Sequence, residues 1–280
     1  MLNYVTPSML QDYLLCPNQY YFRYVQKLKT PVNAPAWLGT KVHEAIQLTL
    51  AARVRKSKEA GPPFNESDYC QQAFAEKITD LRNYKGETLA IDWKEGETPE
   101  ALKEKGRQLI DLYTKCPEFI EMDVRESERS IELLLSPDLE RQTFRIAEPQ
   151  DSNKVTVLCR LDAILADQTI VDFKTSSRAY LVDDVKQKIQ FDLYAIALFA
   201  DRFSNLDQNF KIRCDVLIKT KEPKLQIIEI QKTRLDRDIV LKEVFHLCKG
   251  IDAGLFYRRP NIFCNGYCAF KNQCQKGAIA

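Results

Sequence analysis

Residues 155–177 read VTVLCRLDAILADQTIVDFKTSS, and this stretch decides the fold. Two runs rich in Val, Ile and Leu flank the turn-forming pair at 167–168, a pattern that predicts a β-hairpin. Three charged residues interrupt the apolar pattern: Asp162 lies in the first strand, and Asp172 and Lys174 lie at the end of the second. These three side chains therefore form a candidate functional site.

The length of the hairpin loop decides whether the two aspartates meet. A three-residue loop at 166–168 pairs Leu165 with Thr169 and places Asp162 directly opposite Asp172, about 5 Å apart at Cβ. The lysine two residues further along then shares their face, because side chains alternate with period two. A two-residue loop would place the aspartates on opposite faces of the sheet.

Facing carboxylates repel each other and raise each other's pKa unless a cation bridges them. Hard oxygen ligands on an open, wet site suit Mg²⁺ or Mn²⁺. A lysine beside such a metal can orient water and offset charge on a phosphorane, which suffices for phosphodiester hydrolysis. The alternative is that these charges merely mark a strand end. Three other Asp/Glu-x-Lys runs, at 92–94, 184–186 and 222–224, show how little that tripeptide means alone.

The composition is that of a soluble globular chain. A length of 280 residues allows one large domain or two small ones. The formal net charge of +2 means that any nucleic-acid binding must come from a local basic patch. The first residues lack the basic region and cleavage site of a signal peptide, and no apolar run approaches the roughly 20 residues that span a bilayer. We expect a cytoplasmic protein with no membrane partner.

The element pattern predicts the α/β class, with a central mixed sheet flanked by helices. Four regions are expected: N-terminal helices at 1–60, a helical insertion at 61–116, the core at 117–254, and a cysteine-bearing loop at 255–280. The predicted strands of the core are 124–135, 142–146, 155–166, 169–173, 213–220 and 225–231. The predicted helices are 8–15, 18–28, 41–58, 66–83, 99–115, 183–203 and 236–254.

Two helix starts carry specific predictions. Ser8 and Gln11 form a capping box for the first helix. Thr40 is the expected N-cap of the helix 41–58, which places His43 in its first turn. The aromatic residues around Arg23 suit either core packing or the stacking of nucleotides.

Nine cysteines are many for an intracellular chain, and clusters of them there favour metal binding or redox chemistry over disulfides. Five stand singly in apolar or helical settings, as expected of core fillers: Cys70, Cys116, Cys159, Cys214 and Cys248. The trio Cys264, Cys268 and Cys274 lies in a polar loop and needs a fourth ligand to complete a four-sulfur site. Cys16, immediately before a proline, is the best candidate.

The segment 157–176 resembles the active-site hairpin of the PD-(D/E)xK nuclease superfamily, in particular of its RecB-like branch. In that branch a strand carrying Asp is followed by Asp-aromatic-Lys-Thr. A Gly-Thr-x-x-His helix start is matched at 39–43, and a Gln-x-x-x-Tyr helix is matched at 190–194. The chain departs from the pattern at Leu161, where the family has proline, and at Asp172, where Glu is usual.

The resemblance implies a restriction-endonuclease-like core and a divalent metal site. His43, Asp162, Asp172 and the carbonyl of Phe173 would bind Mg²⁺ or Mn²⁺. Lys174 would be the catalytic lysine.

The resemblance also implies supporting residues around that site. Gln190 and Tyr194, which share one helix face, would hold the substrate strand or the lysine. An acidic residue from the preceding strand is often present, and both Glu126 and Glu128 qualify.

Iron–sulfur members of the RecB-like branch, including AddB-type and CRISPR-adaptation nucleases, have an N-terminal Cys-Pro and a C-terminal cysteine trio. Their trio is usually spaced x2 then x5, whereas here the first gap is x3. The resemblance implies a [4Fe–4S] cluster clasping both termini, bound by Cys16, Cys264, Cys268 and Cys274. Structural Zn²⁺ is the alternative. Either metal would close a long loop and stabilise the fold.

The function implied is Mg²⁺- or Mn²⁺-dependent hydrolysis of DNA, exonucleolytic on single strands or DNA ends, without a nucleotide cofactor. The setting would be recombination, repair or CRISPR adaptation, with proteins of those processes as partners. The alternatives are a non-catalytic DNA-end-binding module or partner-dependent processing subunit, and a structural zinc protein. The intact set Asp162, Asp172 and Lys174 argues against a module that has lost catalysis.

Overall fold

A computed structural model describes residues 3–57, 64–82, 86–202, 209–266 and 268–276. Its strands are β1 Tyr4–Val5, β2 Val32–Asn33, β3 Ile91–Asp92, β4 Val124–Asp138, β5 Thr143–Ile146, β6 Val155–Leu165, β7 Ile170–Ser176, β8 Phe210–Ile218 and β9 Lys224–Lys232. Its α-helices are α1 Pro7–Leu15, α2 Pro17–Tyr20, α3 Ala34–Lys56, α4 Glu66–Lys77, α5 Pro99–Thr114, α6 Pro117–Ile120, α7 Val182–Lys186, α8 Ile189–Arg202, α9 Arg234–Asp252 and α10 Lys271–Gln275. A π-helical turn covers Tyr21–Val25 and a 3₁₀ turn covers Ile262–Asn265.

Seven strands form one mixed sheet in the order β5-β4-β6-β7-β8-β9, with β1 pairing in parallel beside β6. The pairs β4–β5, β4–β6, β6–β7 and β8–β9 are antiparallel. The pair β7–β8 is parallel, and α7 and α8 make the crossover that a parallel connection needs. The predicted central mixed sheet flanked by helices is confirmed.

Each face of the sheet carries its own hydrophobic core. One core joins α1, α8 and α9 to the sheet, and the other joins α3, α4 and α5 to the opposite face. In the second core, Phe74 of α4 and Tyr113 of α5 pack in the same cluster as Phe173 of β7. The helices of the segment 61–116 therefore form part of the layer that covers this face. The division into four regions stays a prediction.

The hairpin β6–β7 has the three-residue loop on which the site depends. The Leu165 N–H donates to the Thr169 carbonyl over 2.9 Å, and Ala163 pairs with Val171. Gln168 takes the left-handed conformation, with φ at 69°, and the Thr169 N–H donates to Asp167 Oδ1. The predicted register is confirmed as far as the Ala163–Val171 pair.

Two predicted helix starts are wrong, because a proline moves each start upstream. Thr6 caps α1, and its Oγ1 accepts the Met9 N–H over 3.1 Å, so Ser8 is a helical residue rather than a cap. Asn33 caps α3, which therefore begins before Thr40. Prolines within the first turn of each helix lack only an N–H that has no intrahelical acceptor. His43 consequently lies in the third turn of α3 rather than the first.

Other predicted helix boundaries differ less from those of the structure. The predicted helix 183–203 is two helices, α7 and α8, and the predicted helix 66–83 ends at Lys77. Residues 58, 83 and 203 of the predicted helices lie outside the described residues.

Tyr20 and Phe22 are buried, which supports the core-packing interpretation of the N-terminal aromatic residues. Among the described helices, none is both long and apolar enough to cross a bilayer.

Gly106 lets α5 approach α4 closely, so we expect Gly106→Ala to destabilise the protein. An added Cβ would lie 2.1 Å from Cζ of Phe74, a buried ring. Alanine gains about 1 kcal/mol of helix propensity, but overpacking costs about 1–3 kcal/mol. Urea unfolding should therefore show a net loss of stability. Gly266→Ala, where nothing lies within 4 Å of the added Cβ, is the control and should leave the midpoint unchanged.

Candidate active site

Asp162 occupies the point at which β6 and β7 part. The paired register of the two strands ends at Ala163 and Val171. Beyond it, the Phe173 backbone N–H donates to Asp162 Oδ2 over 2.9 Å instead of to a strand carbonyl. A buried N–H needs an acceptor, and the carboxylate supplies one where the ladder fails.

The residues of β6 on either side of Asp162 face different hydrophobic cores. Leu161 belongs to the core beneath α8, whereas Ala163 belongs to the core beneath α3. On the neighbouring strand the β4–β6 register passes over Asp162 and Glu128, and Glu128 has a φ of 54°. The alternation of side chains along β6 therefore shifts at Asp162.

Helix α3 brings two side chains to Asp162. His43 Nε2 lies 2.8 Å from Asp162 Oδ2, and Gln47 Nε2 lies 3.5 Å from Oδ1. Gln47 did not figure in the sequence prediction, although its i+4 spacing from His43 puts both on one helix face. Gly39 permits the approach of α3, because a Cβ there would lie 2.2 Å from Thr175 Oγ1.

Helix α8 contacts the second carboxylate, that of Asp172, through Gln190. Asp172 is only 1% exposed, and its two oxygens lie 3.0 and 2.9 Å from the Lys174 ammonium. Gln190 Nε2 is 3.1 Å from Asp172 Oδ1 and 2.7 Å from the Tyr194 hydroxyl. The helix thus holds Asp172 from the side opposite α3.

The charge on Asp162 is balanced mainly by His43. Burial lowers the pKa of His43, but the Asp162 carboxylate outweighs it and raises that pKa above the ordinary 6.5. Burial raises the pKa of Asp162, but the charge and hydrogen bond of His43, together with Lys174, leave it lowered. The two groups therefore favour an imidazolium–carboxylate pair.

The second ion pair of the site joins Asp172 and Lys174. Burial, and then the charge of Asp162, raise the pKa of Asp172 against the opposing effect of Lys174. Burial lowers the pKa of Lys174, but Asp172 and then Asp162 raise it well above its ordinary value. The ammonium of Lys174 is accordingly held protonated by the two carboxylates.

The site contains no preformed metal cage in this structure. Within the described ranges, no three His, Cys, Asp or Glu side chains are arranged to hold a metal ion. The carboxylates are neutralised instead by His43 and Lys174. Phe173 contributes its N–H to Asp162, and a ligand role for its carbonyl stays a prediction.

The two acidic residues of β4 stand apart from these contacts. Glu126 forms ion pairs with Arg202 of α8 and with Arg129. Glu128 is exposed. Among the contacts of the described residues, none joins either carboxylate to Asp162 or Asp172. A role for either in the site stays a prediction.

Cys214 lies closer to the site than its sequence setting suggested. The parallel register places it beside Asp172, with Sγ 4.0 Å from Oδ2. Burial and the Asp172 charge raise the pKa of Cys214 to about 12, so it is a protonated thiol. No local sequence pattern marks this neighbour, because the contact arises from strand pairing.

The four cysteines predicted to bind a cluster line one narrow cavity: Cys16, Cys264, Cys268 and Cys274. Burial raises the pKa of Cys268, and Cys264, Cys16 and Cys274 raise it further, as expected of thiols held near one another. Asn18 Nδ2 lies 3.7 Å from the Cys274 sulfur, while its Oδ1 is buried without a hydrogen-bond partner among the described residues. All nine cysteines are free thiols.

Contacts between the two ends of the chain surround this cavity. The Asn18 N–H donates to the Tyr257 carbonyl over 3.1 Å, and Asn261 Nδ2 donates to the Leu15 carbonyl over 3.2 Å. The rings of Phe22 and Phe270 lie 5.6 Å apart.

The sequence model of the PD-(D/E)XK nuclease superfamily matches residues 4–275. The chain belongs to this superfamily. No curated protein matches it. Among solved structures, one described as "Putative exonuclease" from Eubacterium rectale is similar with a TM-score of 0.56 and 12% identity, over 95% of this chain and 87% of that one. A second, SSO0001, gives a TM-score of 0.37 and 14% identity over 82% of this chain and 95% of that one. At these identities the first likeness shows the fold alone.

The His43–Asp162 pair predicts a pH-dependent contribution to stability in metal-free protein. Because the pKa of His43 is raised on folding, its stabilisation is complete below the unfolded value of 6.5 and is lost as pH rises through the folded value. The stability difference between wild type and His43→Gln, from urea unfolding in EDTA, should be larger at about pH 5.5 than at about pH 9. His246→Gln removes the other histidine, which is exposed and outside the site, and is the control for the loss of an imidazole. A pH-independent difference for His43→Gln would contradict the pairing.

Proposed function

We propose that this chain is a Mg²⁺- or Mn²⁺-dependent DNA nuclease of the RecB-like branch that acts on single strands or DNA ends. The observation that carries the proposal is the convergence of Asp162, Asp172 and Lys174 where β6 and β7 part. Helices from both faces support it, through His43 on one side and Gln190 on the other. An intact set of this kind favours catalysis over DNA binding alone.

The donor set at the site fits a hard divalent cation. Asp162 and Asp172 are 6% and 1% exposed, and their negative charge is met from within the protein by His43 and Lys174. We propose that Asp162, Asp172 and His43, with the Phe173 carbonyl, would hold Mg²⁺ or Mn²⁺. A bound cation of this type lowers the pKa of water and neutralises a phosphate oxygen.

The protein's own groups supply positioning and charge. The Lys174 ammonium, held protonated beside Asp172, can stabilise negative charge that develops on the phosphate oxygens. Gln190 and Tyr194 fix the orientation of Asp172 from α8. His43 and Gln47 fix Asp162 from α3, so both carboxylates are held from rigid elements.

The distribution of charge supports a nucleic acid as the partner. Neither 13–43 nor 253–280 contains an aspartate or glutamate, although the whole chain is nearly neutral. These two segments pack against each other, and they carry exposed basic residues that include Lys27, Arg258 and Lys271. A local basic surface of this kind attracts a phosphate backbone.

A groove borders both the end of β7 and the C-terminal segment, and Asp92 is the acidic residue in its lining. Its cavity of about 750 Å³ is lined by 175–177, directly after the catalytic lysine, and by Lys219, Gly266 and Cys268. A strand lying in this groove would reach from the basic ends of the chain to Lys174. Exonucleolytic action agrees with the name of the structural neighbour, and we propose recombination, repair or CRISPR adaptation in the cytoplasm as the setting.

Replacement of Lys174 by alanine should abolish most hydrolysis. Loss of a positioned acid–base or charge-stabilising group costs about 10²–10⁴ in rate, so labelled single-stranded DNA with Mn²⁺ should be degraded that much more slowly. Lys211→Ala removes an exposed lysine near the other end of the strands and is the control. Equal activity of wild type and Lys174→Ala would refute the assignment, and activity in neither would favour a binding module.

We further propose that Cys16, Cys264, Cys268 and Cys274 bind a [4Fe–4S] cluster, with structural Zn²⁺ as the rival. The four thiols line one cavity and have the ligand chemistry of a soft metal centre, although no three of these described cysteines stand in a preformed metal-binding arrangement, and the buried, unpartnered Asn18 Oδ1 marks a polar wall of that cavity. The contacts between the chain ends around it favour a structural role, in which the cluster joins the N-terminal helices to the C-terminal loop.

Anaerobically purified protein should therefore be brown and contain iron and sulfide. Cys268→Ser should lose the visible absorbance and the iron, because it removes one of four ligands. Cys116→Ser, a half-buried thiol outside the cavity, should keep both. Zinc without iron in the wild type would favour the structural zinc site, and no metal at all would overturn the proposal.

A further inference from the structure

A second cationic group stands near the catalytic lysine. Lys188 lies between α7 and α8, two residues before Gln190, which contacts Asp172. Its ammonium is 4.5 Å from the ring centroid of Tyr180. Tyr180 lies in the connection that leaves β7, so both residues belong to the crossover between the parallel strands.

Tyr180 is held in place from the opposite side. Its N–H donates to Gln226 Oε1 over 2.8 Å, and Gln226 Nε2 donates to its carbonyl over 2.9 Å. Gln226 belongs to β9, so the connection is anchored to the sheet by a reciprocal pair of hydrogen bonds. The ring is therefore a fixed support for the Lys188 side chain.

The charge of Lys174 acts on both members of this pair. Burial lowers the pKa of Lys188, and repulsion from the Lys174 ammonium lowers it further, while Cys214 and the more distant charges of Asp172 and Asp184 only partly oppose this. Burial raises the pKa of Tyr180, while Lys174 acts to lower it. Both side chains therefore experience the charge of the catalytic lysine.

The two lysines differ in what neutralises them. Lys174 lies within 3.0 Å of both oxygens of Asp172. In the part of the chain that the structure describes, no carboxylate lies within ion-pair distance of the half-buried Lys188 ammonium. A ring face orients a cation but does not neutralise it. An anion beside Lys188 would relieve both its partial desolvation and the repulsion from Lys174.

We propose that Lys188 binds a non-bridging phosphate oxygen of the substrate strand, at the phosphodiester next to the one cleaved, and that Tyr180 positions its ammonium. The proposal rests on the proposed nuclease function, since it names a substrate contact of that site. Lys174, engaged by Asp172, stays with the reacting phosphate, and Lys188 holds the strand in register.

The salt dependence of DNA binding tests this assignment. With labelled single-stranded oligothymidylate in EDTA, where cleavage does not occur, fluorescence anisotropy gives the affinity across a range of NaCl concentrations. Each phosphate contact on a single strand contributes about 0.7 to the slope of log K against log salt. Lys188→Met should reduce the slope by about that amount, and Lys188→Arg should retain it.

Steady-state kinetics with Mn²⁺ provide a second readout. A contact made equally in the ground state and the transition state affects KM and leaves kcat unchanged, so Lys188→Met should raise KM several-fold. Tyr180→Leu should raise KM less, because the cation remains. Lys211→Met, far along β8 from Lys174, is the control for loss of one positive charge and should change neither quantity.

A purely structural role would lower the thermal midpoint of Lys188→Met without changing the salt slope, and that result would overturn the proposal. If Lys188→Met fails to fold, Lys188→Gln takes its place in both assays. An unchanged slope and an unchanged KM would also overturn it. If the wild type binds the strand but cleaves nothing, the nuclease proposal fails, while the slope still decides whether Lys188 contacts phosphate.

Discussion

The hydrogen bond from the Phe173 N–H to Asp162 Oδ2 is the constraint on which the rest of the site depends. Strands β6 and β7 pair at their turn and then separate, which would leave a buried backbone donor without an acceptor. The Asp162 carboxylate replaces the missing carbonyl. The strands can then diverge, so Asp172 leaves the ladder with β6 while it stays paired with Cys214 of β8.

Two buried carboxylates require compensation, and the two layers of helices divide this task. On one face of the sheet, His43 and Gln47 of α3 contact the Asp162 carboxylate. On the other face, Gln190 of α8 contacts the Asp172 carboxylate, which also accepts a hydrogen bond from Lys174. Because each helix is fixed by its own hydrophobic core, the positions of the two carboxylates are set by packing on opposite faces of one sheet.

A second buried network keeps the α3 face rigid near the site. Asp215 of β8, which is fully buried, accepts hydrogen bonds from Arg213 over 2.7 and 2.8 Å and from Tyr113 over 2.6 Å. Asp215 is the register partner of Phe173, and the Tyr113 ring packs against the Phe173 ring. With all its charges paired, this network ties α5 to β8, the neighbour of the strand that carries Asp172 and Lys174.

Much of the core was predictable, because its elements carry strong local signals. The turn pair at 167–168 and the flanking apolar runs specify the hairpin, whereas only the structure decides between a two-residue and a three-residue loop. The start of α3 was not predicted, since a glycine and two prolines near its beginning read as a connector, and only Asn33 capping reveals the true start. Gln47 was missed because an amide on a helix face has no meaning until Asp162 is known to lie beside it.

The sequence by itself determined the class of chemistry: carboxylates and a lysine at strand ends, a histidine upstream, and a trio of cysteines in a polar loop. Only the tertiary structure decided which groups meet. Cys16 lines the same cavity as Cys268 from the other end of the chain, Cys214 lies beside Asp172 through strand pairing, and Lys188 belongs to the crossover that follows the strand of Lys174. Local pattern records propensity and periodicity, whereas these contacts depend on the packing of elements distant in sequence, which no short stretch encodes.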